Sequence, residues 1–178
     1  KIHASFLTMH QLEILKTAYH GPINPKTGEQ IFCGLPIGSE INCGLIFHDA
    51  ENDVVPWPWP KLFFGKDFKE RTYDFSDDLE RMLHKIEDIF SANRKDLTRY
   101  KAHGGKLIMY SGSADPTSPW PDAVKYYNRV CDKMGGLEKV YGFFRHFIMP
   151  GMAHGNNGLG TNQKWADENR RPFLDALR

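Results

Sequence analysis

The stretch Gly104-Gly-Lys-Leu-Ile-Met-Tyr-Ser-Gly-Ser-Ala-Asp115 decides the fold. Its apolar run from Leu107 to Tyr110 sits between a Gly-Gly pair and Gly112, which suits a buried strand of about five or six residues. A polar turn follows, and Pro119 or Pro121 then opens a helix. In that helix Ala123, Tyr126, Tyr127, Val130 and Met134 recur at helical spacing until Gly135-Gly136 stops them. Phe143 to Met149 is the next apolar run, closed by Pro150-Gly151. Strand, helix and strand within about 45 residues make a βαβ unit, so the two strands are expected to lie parallel with a right-handed crossover. The expected fold class is therefore α/β.

In open parallel sheets the ligand site lies beyond the carboxyl ends of the strands. The residues placed there are Gly112-Ser-Ala-Asp115 and Pro150-Gly-Met-Ala-His154. An acid after one strand and a histidine after the next is the order in which an α/β-hydrolase triad ends, Ser then Asp or Glu then His. The histidine takes a proton from a serine hydroxyl, and the carboxylate fixes the histidine's tautomer. Asp115 and His154 are accordingly the candidate catalytic residues. The plainer alternatives are an aspartate turning the loop before Pro116 and a loop histidine bonded to backbone.

Outward from this unit, Phe6 to Tyr19 has mostly helical periodicity, with Ser5 or Thr8 as N-cap and Gly21-Pro22 as the stop. From Gly21 to Gly65 the prolines at 22, 25, 36, 56, 58 and 60 break every period, so regular elements should be brief. Asp77 to Phe90 returns to helix, with Leu79, Met82, Leu83, Ile86, Ile89 and Phe90 on one face, read most simply as core. A last helix is expected from about Asn162 to Leu177, able to pack Trp165 and Phe173 on the sheet.

These patches carry a resemblance. The segment from Gly104 to Asp115, the pair Tyr126-Tyr127, and Phe147-Ile-Met-Pro-Gly-Met-Ala-His154 resemble the tannase and feruloyl esterase family of secreted α/β-hydrolases. Upstream, Tyr19-His-Gly-Pro-Ile-Asn-Pro-Lys-Thr-Gly-Glu29 and Gly34-Leu-Pro-Ile-Gly-Ser-Glu40 are similar to the part of that family's lid that leads back into the core. The resemblance implies residues 1–65 as part of a lid and 66–178 as the C-terminal part of the hydrolase core. It also implies Asp115 as triad acid, His154 as base, hydrolysis of aromatic-acid esters, and a secreted or periplasmic location.

No Gly-x-Ser-x-Gly occurs in the chain, so the nucleophile elbow is expected upstream of Lys1. The oxyanion hole would lie there too. The chain is thus expected to be a C-terminal portion cut within the lid and within the last helix, inactive alone, with the missing N-terminal part as its partner. Unpaired sheet edges would also favour a homo-oligomer. The family usually places a cysteine after the triad histidine, bridged to one beside the serine. Here that position is Gly155, and the family's usual tryptophan after the glycine of the aspartate motif is Ser113. The loss of the bridge motivates an alternative: a non-catalytic relic that binds phenolic or carbohydrate ligands.

Trp57-Pro-Trp-Pro60 reads as a stiff extended segment. Trp57 and Trp59 are candidate substrate-binding residues that could stack on a gallate or ferulate ring, or else form a strap holding the lid to the core. The other seven histidines lack metal spacing and are read as surface or satisfied residues, so neither metal nor cofactor is expected. Gly155-Asn-Asn-Gly-Leu-Gly160 has neither G-x-G-x-x-G nor a Walker lysine, which argues against a nucleotide-binding βαβ protein. Its glycines would instead let the chain fold back behind His154.

The 178 residues fit one domain, or one plus an appendage. With 23 Lys+Arg against 22 Asp+Glu the net charge is +1, which leaves no basic field for nucleic acid. No apolar stretch approaches the ~20 residues of a membrane-spanning helix, so no membrane partner is expected. Three cysteines without a C-x-x-C pair form no disulfide framework, although Cys33 and Cys43 could close one loop in an oxidising compartment.

Overall fold

The computed structural model describes residues 8–39, 59–69 and 72–156. They divide into two compact units, one from the described residues of Lys1–Gly34 and Phe47–Asn93, the other from those of Leu35–Ile46 and Arg94–Arg178. Trp57, Cys43 and the helix expected from Asn162 lie outside the described residues. None of the described helices is long and apolar enough to cross a membrane.

In the first unit, α1 spans Met9–His20. Of the two candidate caps it is Thr8 that serves: its hydroxyl accepts from the Gln11 N–H at 3.2 Å, while Gln11 Oε1 accepts from the Thr8 N–H at 2.8 Å. This reciprocal box satisfies two N–H groups that the helix itself leaves unpaired. In the proline-rich stretch that follows, Ile23 and Gln30 form an isolated antiparallel bridge around a turn held by Asn24 Oδ1.

The Trp59-Pro60 half of the expected extended segment is instead the opening of α2, Trp59–Phe64. A proline's fixed φ suits the first turn of a helix, where its missing N–H has no partner to lose. Next, Phe64, Phe68, Tyr73 and Phe75 form a chain of ring contacts with centroids 4.7–6.4 Å apart. Helix α3, Asp77–Phe90, has the bounds the periodicity sets, with Asp77, Asp78 and Glu80 at its positive N-terminal end. Its apolar stripe is not core among the described residues: Leu79, Met82 and Ile86 are half-buried, and Leu83, Ile89 and Phe90 are exposed.

The second unit runs α4 (Thr98–Ala102), β1 (Leu107–Gly112), α5 (Trp120–Met134), α6 (Leu137–Tyr141) and β2 (Phe144–Met149). The two strands pair parallel, with Leu107 opposite Phe144 and Gly112 opposite Met149. This is the expected βαβ unit, with the short α6 added before β2. Helix α5 starts at Pro119 as N-cap, carries Pro121 in its first turn and ends at Gly135. It turns Tyr126, Tyr127, Val130, Cys131 and Met134 toward Val140, Phe143 and Phe144. Phe144 is wholly buried, with the Tyr127 ring edge-on at 4.9 Å, and burying such a side chain contributes about 1.5–3 kcal/mol.

Among the described residues the strands are covered on one face only, not on both as their apolar runs suggest. Leu107 and Met109 pack on the core, while Ile108, Tyr110, Phe147 and Met149 are exposed on the opposite face. Side chains alternate across a strand, and among the described residues α5 lies against only one side of the sheet.

Candidate functional site

Both strands end at the same edge, and the loops leaving them are joined by backbone hydrogen bonds. The Ser113 N–H donates to Met149 O at 3.0 Å, and the Ala114 N–H donates to Met152 O at 2.9 Å. In return the Gly151 N–H donates to Ser113 Oγ at 2.7 Å. Ser113 therefore ties the aspartate loop to the histidine loop.

Gly112 permits this close approach. A Cβ on Gly112 would lie 2.2 Å from Met152 O, a backbone atom that cannot swing aside. Gly112→Ala should therefore destabilise the unit by about 1–3 kcal/mol, the usual range for overpacking, as read from denaturant unfolding. Unchanged stability would show that the loops are not held this tightly.

The joined loops bring the two candidate catalytic residues together. His154 Nδ1 lies 3.1 Å from Asp115 Oδ2. Gly155 follows in the left-handed region at φ 76°, a conformation glycine adopts without strain, and this lets the chain turn back directly after the histidine. Asp115 is 7% exposed, whereas the His154 side chain is 52% exposed. A buried acid behind an accessible imidazole is the arrangement a general base needs.

The two oxygens of Asp115 have separate tasks. Oδ1 accepts from the Thr117 N–H at 2.8 Å, the Thr117 hydroxyl at 2.8 Å and the Ser118 N–H at 3.0 Å. This is the turn-forming role of an Asp-Pro pair. Oδ2 is left for His154, so the turn reading and the triad reading are both realised, one on each oxygen. Burial alone would raise the Asp115 carboxyl. The Thr117 hydroxyl, the Ser118 and Thr117 N–H groups and His154 together outweigh burial and hold the carboxyl below its ordinary value. A depressed carboxyl contributes stability above its unfolded value of about 3.9 and loses it as pH falls through the lower folded value. The brace therefore persists through neutral and mildly acidic pH.

A cleft of about 260 Å3 opens at this edge, lined by Tyr110, Gly112, Asp115, Ser118, Met152 and His154. Thr117 touches Asp115 and also lies 2.6 Å from His154 Nδ1 through its hydroxyl. Sequence reasoning missed it, although a threonine two places after an aspartate is a recognised turn signal. His146 is satisfied, as read from the sequence: its Nε2 lies 3.0 Å from Ser111 Oγ, and burial lowers its pKa. Among the described residues no group of three His, Cys, Asp or Glu gathers to hold a metal. The Trp59 side chain, like Trp57, lies outside what is described.

Comparison with known proteins bears on this arrangement. The chain is 28% identical to an uncharacterized esterase of Xanthomonas campestris pv. campestris over 88% of its own length, which is 32% of that protein. It is 31% identical to a tannase of Aspergillus oryzae over 86% of its length, 30% of that protein. The chain thus spans under a third of these relatives. Among solved structures, feruloyl esterase B from Aspergillus oryzae superposes with a TM-score of 0.72 at 22% identity, covering 85% of this chain and 30% of that one. Identity that low shows a shared fold and nothing more. A family model described as Tannase and feruloyl esterase matches residues 63–175, a span that holds both strands, the cleft, Asp115 and His154. By that match the chain belongs to the tannase and feruloyl esterase family.

Proposed function

We propose that this chain contributes the acid–base half of a carboxylic ester hydrolase that acts by a Ser-His-Asp mechanism on esters of aromatic acids. The observation that carries the reading is the 3.1 Å contact between His154 Nδ1 and Asp115 Oδ2 at the mouth of a cleft. With Nδ1 held by the acid, Nε2 is the nitrogen left to do chemistry. The nucleophile is a serine outside these 178 residues, because no Gly-x-Ser-x-Gly occurs within them.

Nε2 takes the serine proton as the oxygen attacks the ester carbonyl, and Asp115 stabilises the imidazolium that forms. The same proton then passes to the departing alcohol, leaving an acyl-serine. Water, deprotonated by Nε2, attacks the acyl carbon and releases the carboxylic acid, and the serine regains its proton. The aromatic-acid preference is supported by the relative named tannase. Trp57 and Trp59 remain the residues proposed to stack on the acyl ring.

The maintained Asp115–His154 contact favours turnover over a decayed binding site, even with Gly155 in the position of the family cysteine. The intact protein is expected to release the free acid from methyl ferulate or methyl gallate, followed by chromatography. Binding of both esters without turnover would transfer the reading to a phenolic-binding relic.

A further inference from the structure

We propose that Thr117 is a positioning residue of this site, its hydroxyl fixing the tautomer of His154. The inference rests on the reading of His154 as a general base.

Three polar atoms meet around one another here. Thr117 Oγ1 is 2.8 Å from Asp115 Oδ1 and 2.6 Å from His154 Nδ1, and Nδ1 is 3.1 Å from Asp115 Oδ2. These three contacts close a ring, and only two protons are available to fill it. The ionised carboxylate brings none, the hydroxyl brings one, and a neutral imidazole brings one.

Two assignments differ sharply in cost. In the first, the hydroxyl proton goes to Asp115 Oδ1 and the Nδ1 proton is shared between Thr117 Oγ1 and Asp115 Oδ2. Every contact then has a proton between its donor and its acceptor, and two of them run to a charged oxygen. In the second, the hydroxyl proton goes to a bare Nδ1. Oγ1 then faces Oδ1 at 2.8 Å, and Nδ1 faces Oδ2 at 3.1 Å, with lone pairs opposed in both contacts. With Asp115 only 7% exposed, little water is at hand to relieve that opposition. The first assignment holds, so neutral His154 carries its proton on Nδ1 and presents the Nε2 lone pair to the cleft.

The hydroxyl is not needed for the turn. The Thr117 and Ser118 N–H groups already bind Oδ1 at 2.8 and 3.0 Å, and both are backbone groups that a substitution of Thr117 retains. What the hydroxyl adds is the shorter of the two contacts to His154. Asp115 therefore acts on the imidazole along two routes, directly through Oδ2 and through Oδ1 by way of Thr117. The second route matters more in a chain where Gly155 rules out a disulfide directly behind the histidine.

The test uses the intact protein with 15N-labelled histidine rings, the His154 signals assigned by their loss in His154→Gln. In the wild type the neutral ring should show a protonated Nδ1 and an unprotonated Nε2. Thr117→Val, nearly the same shape without the hydroxyl, should shift the ring toward a mixture of tautomers. It should also lower kcat roughly tenfold at unchanged KM, as expected for one hydrogen bond to a group that becomes charged. Thr117→Ser restores the hydroxyl and should restore both readings. A wild-type ring protonated on Nε2 overturns the proposal whatever the variants do, and so does a Thr117→Val protein with unchanged ring signals and kcat. Absence of ester hydrolysis by the wild type would instead remove the general-base reading, while the ring signals still decide the role of Thr117.

Discussion

Replacing His154 by alanine should all but abolish ester hydrolysis by the intact protein, lowering kcat by roughly 10⁴-fold to 10⁶-fold, the loss seen when a triad's base is removed. The size follows from what His154 does alone. Among the described residues His154 is the one imidazole that lines the cleft, and the Nε2 of His146 is engaged by Ser111 Oγ at 3.0 Å. Without a base, the serine hydroxyl must attack with its proton in place, and the departing alcohol receives none.

The fold should survive this change. The His154 side chain is 52% exposed, and the links between the two loops run through Ser113, Ala114, Gly151 and Met152. A denaturation midpoint close to wild type, alongside unchanged KM and lost kcat, would place the defect in the chemical step. Near-full activity in His154→Ala would end the proposed mechanism. A large fall in stability would show instead that the imidazole supports the fold.

The parts of the fold readable in the sequence are those where one period runs uninterrupted. Helix α5 announces itself by an apolar stripe between a proline start and a glycine stop, helix α3 by its apolar stripe alone, and β1 and β2 by apolar runs bounded by glycine or proline. Their order then places Asp115 and His154 at one sheet edge, because parallel strands put the loops after them side by side. The exposure of the strands was not readable. An unbroken run such as Leu107 to Tyr110 is the pattern of a strand covered on both faces, yet the described residues cover only the Leu107 and Met109 side. Helix α6 was missed because its five residues, Leu137–Tyr141, are fewer than two helical turns and show no period. Thr117 escaped for a different reason. Its hydroxyl matters through a contact 37 residues away in sequence, and no local pattern encodes that.

Changing Asp115 to asparagine should be nearly as damaging as losing the histidine, with a fall in kcat of roughly 10⁴-fold, the loss known for a triad aspartate made into an amide. The structure says which way the amide will face. Three donors converge on Oδ1, namely the Thr117 N–H, the Thr117 hydroxyl and the Ser118 N–H. A carbonyl oxygen can accept from all three, whereas an NH2 group in that position would confront two backbone N–H groups that cannot turn away. The amide oxygen must therefore take the Oδ1 position, and the NH2 group takes that of Oδ2, 3.1 Å from His154 Nδ1. There it donates to Nδ1, which forces the ring proton onto Nε2. A ring protonated at Nε2 has no lone pair for the serine proton, so the base is disabled while every atom remains close to its place. Asp115→Asn should thus keep the turn and most of the stability while losing kcat at similar KM. Asp115→Ala should lose the turn as well, and its denaturation midpoint should drop. The comparison separates tautomer control from simple bracing. Equal loss of stability in both variants would mean that the cradle around Oδ1 does not hold the amide, and near-wild-type kcat in Asp115→Asn would mean that the acid does not set the histidine's proton.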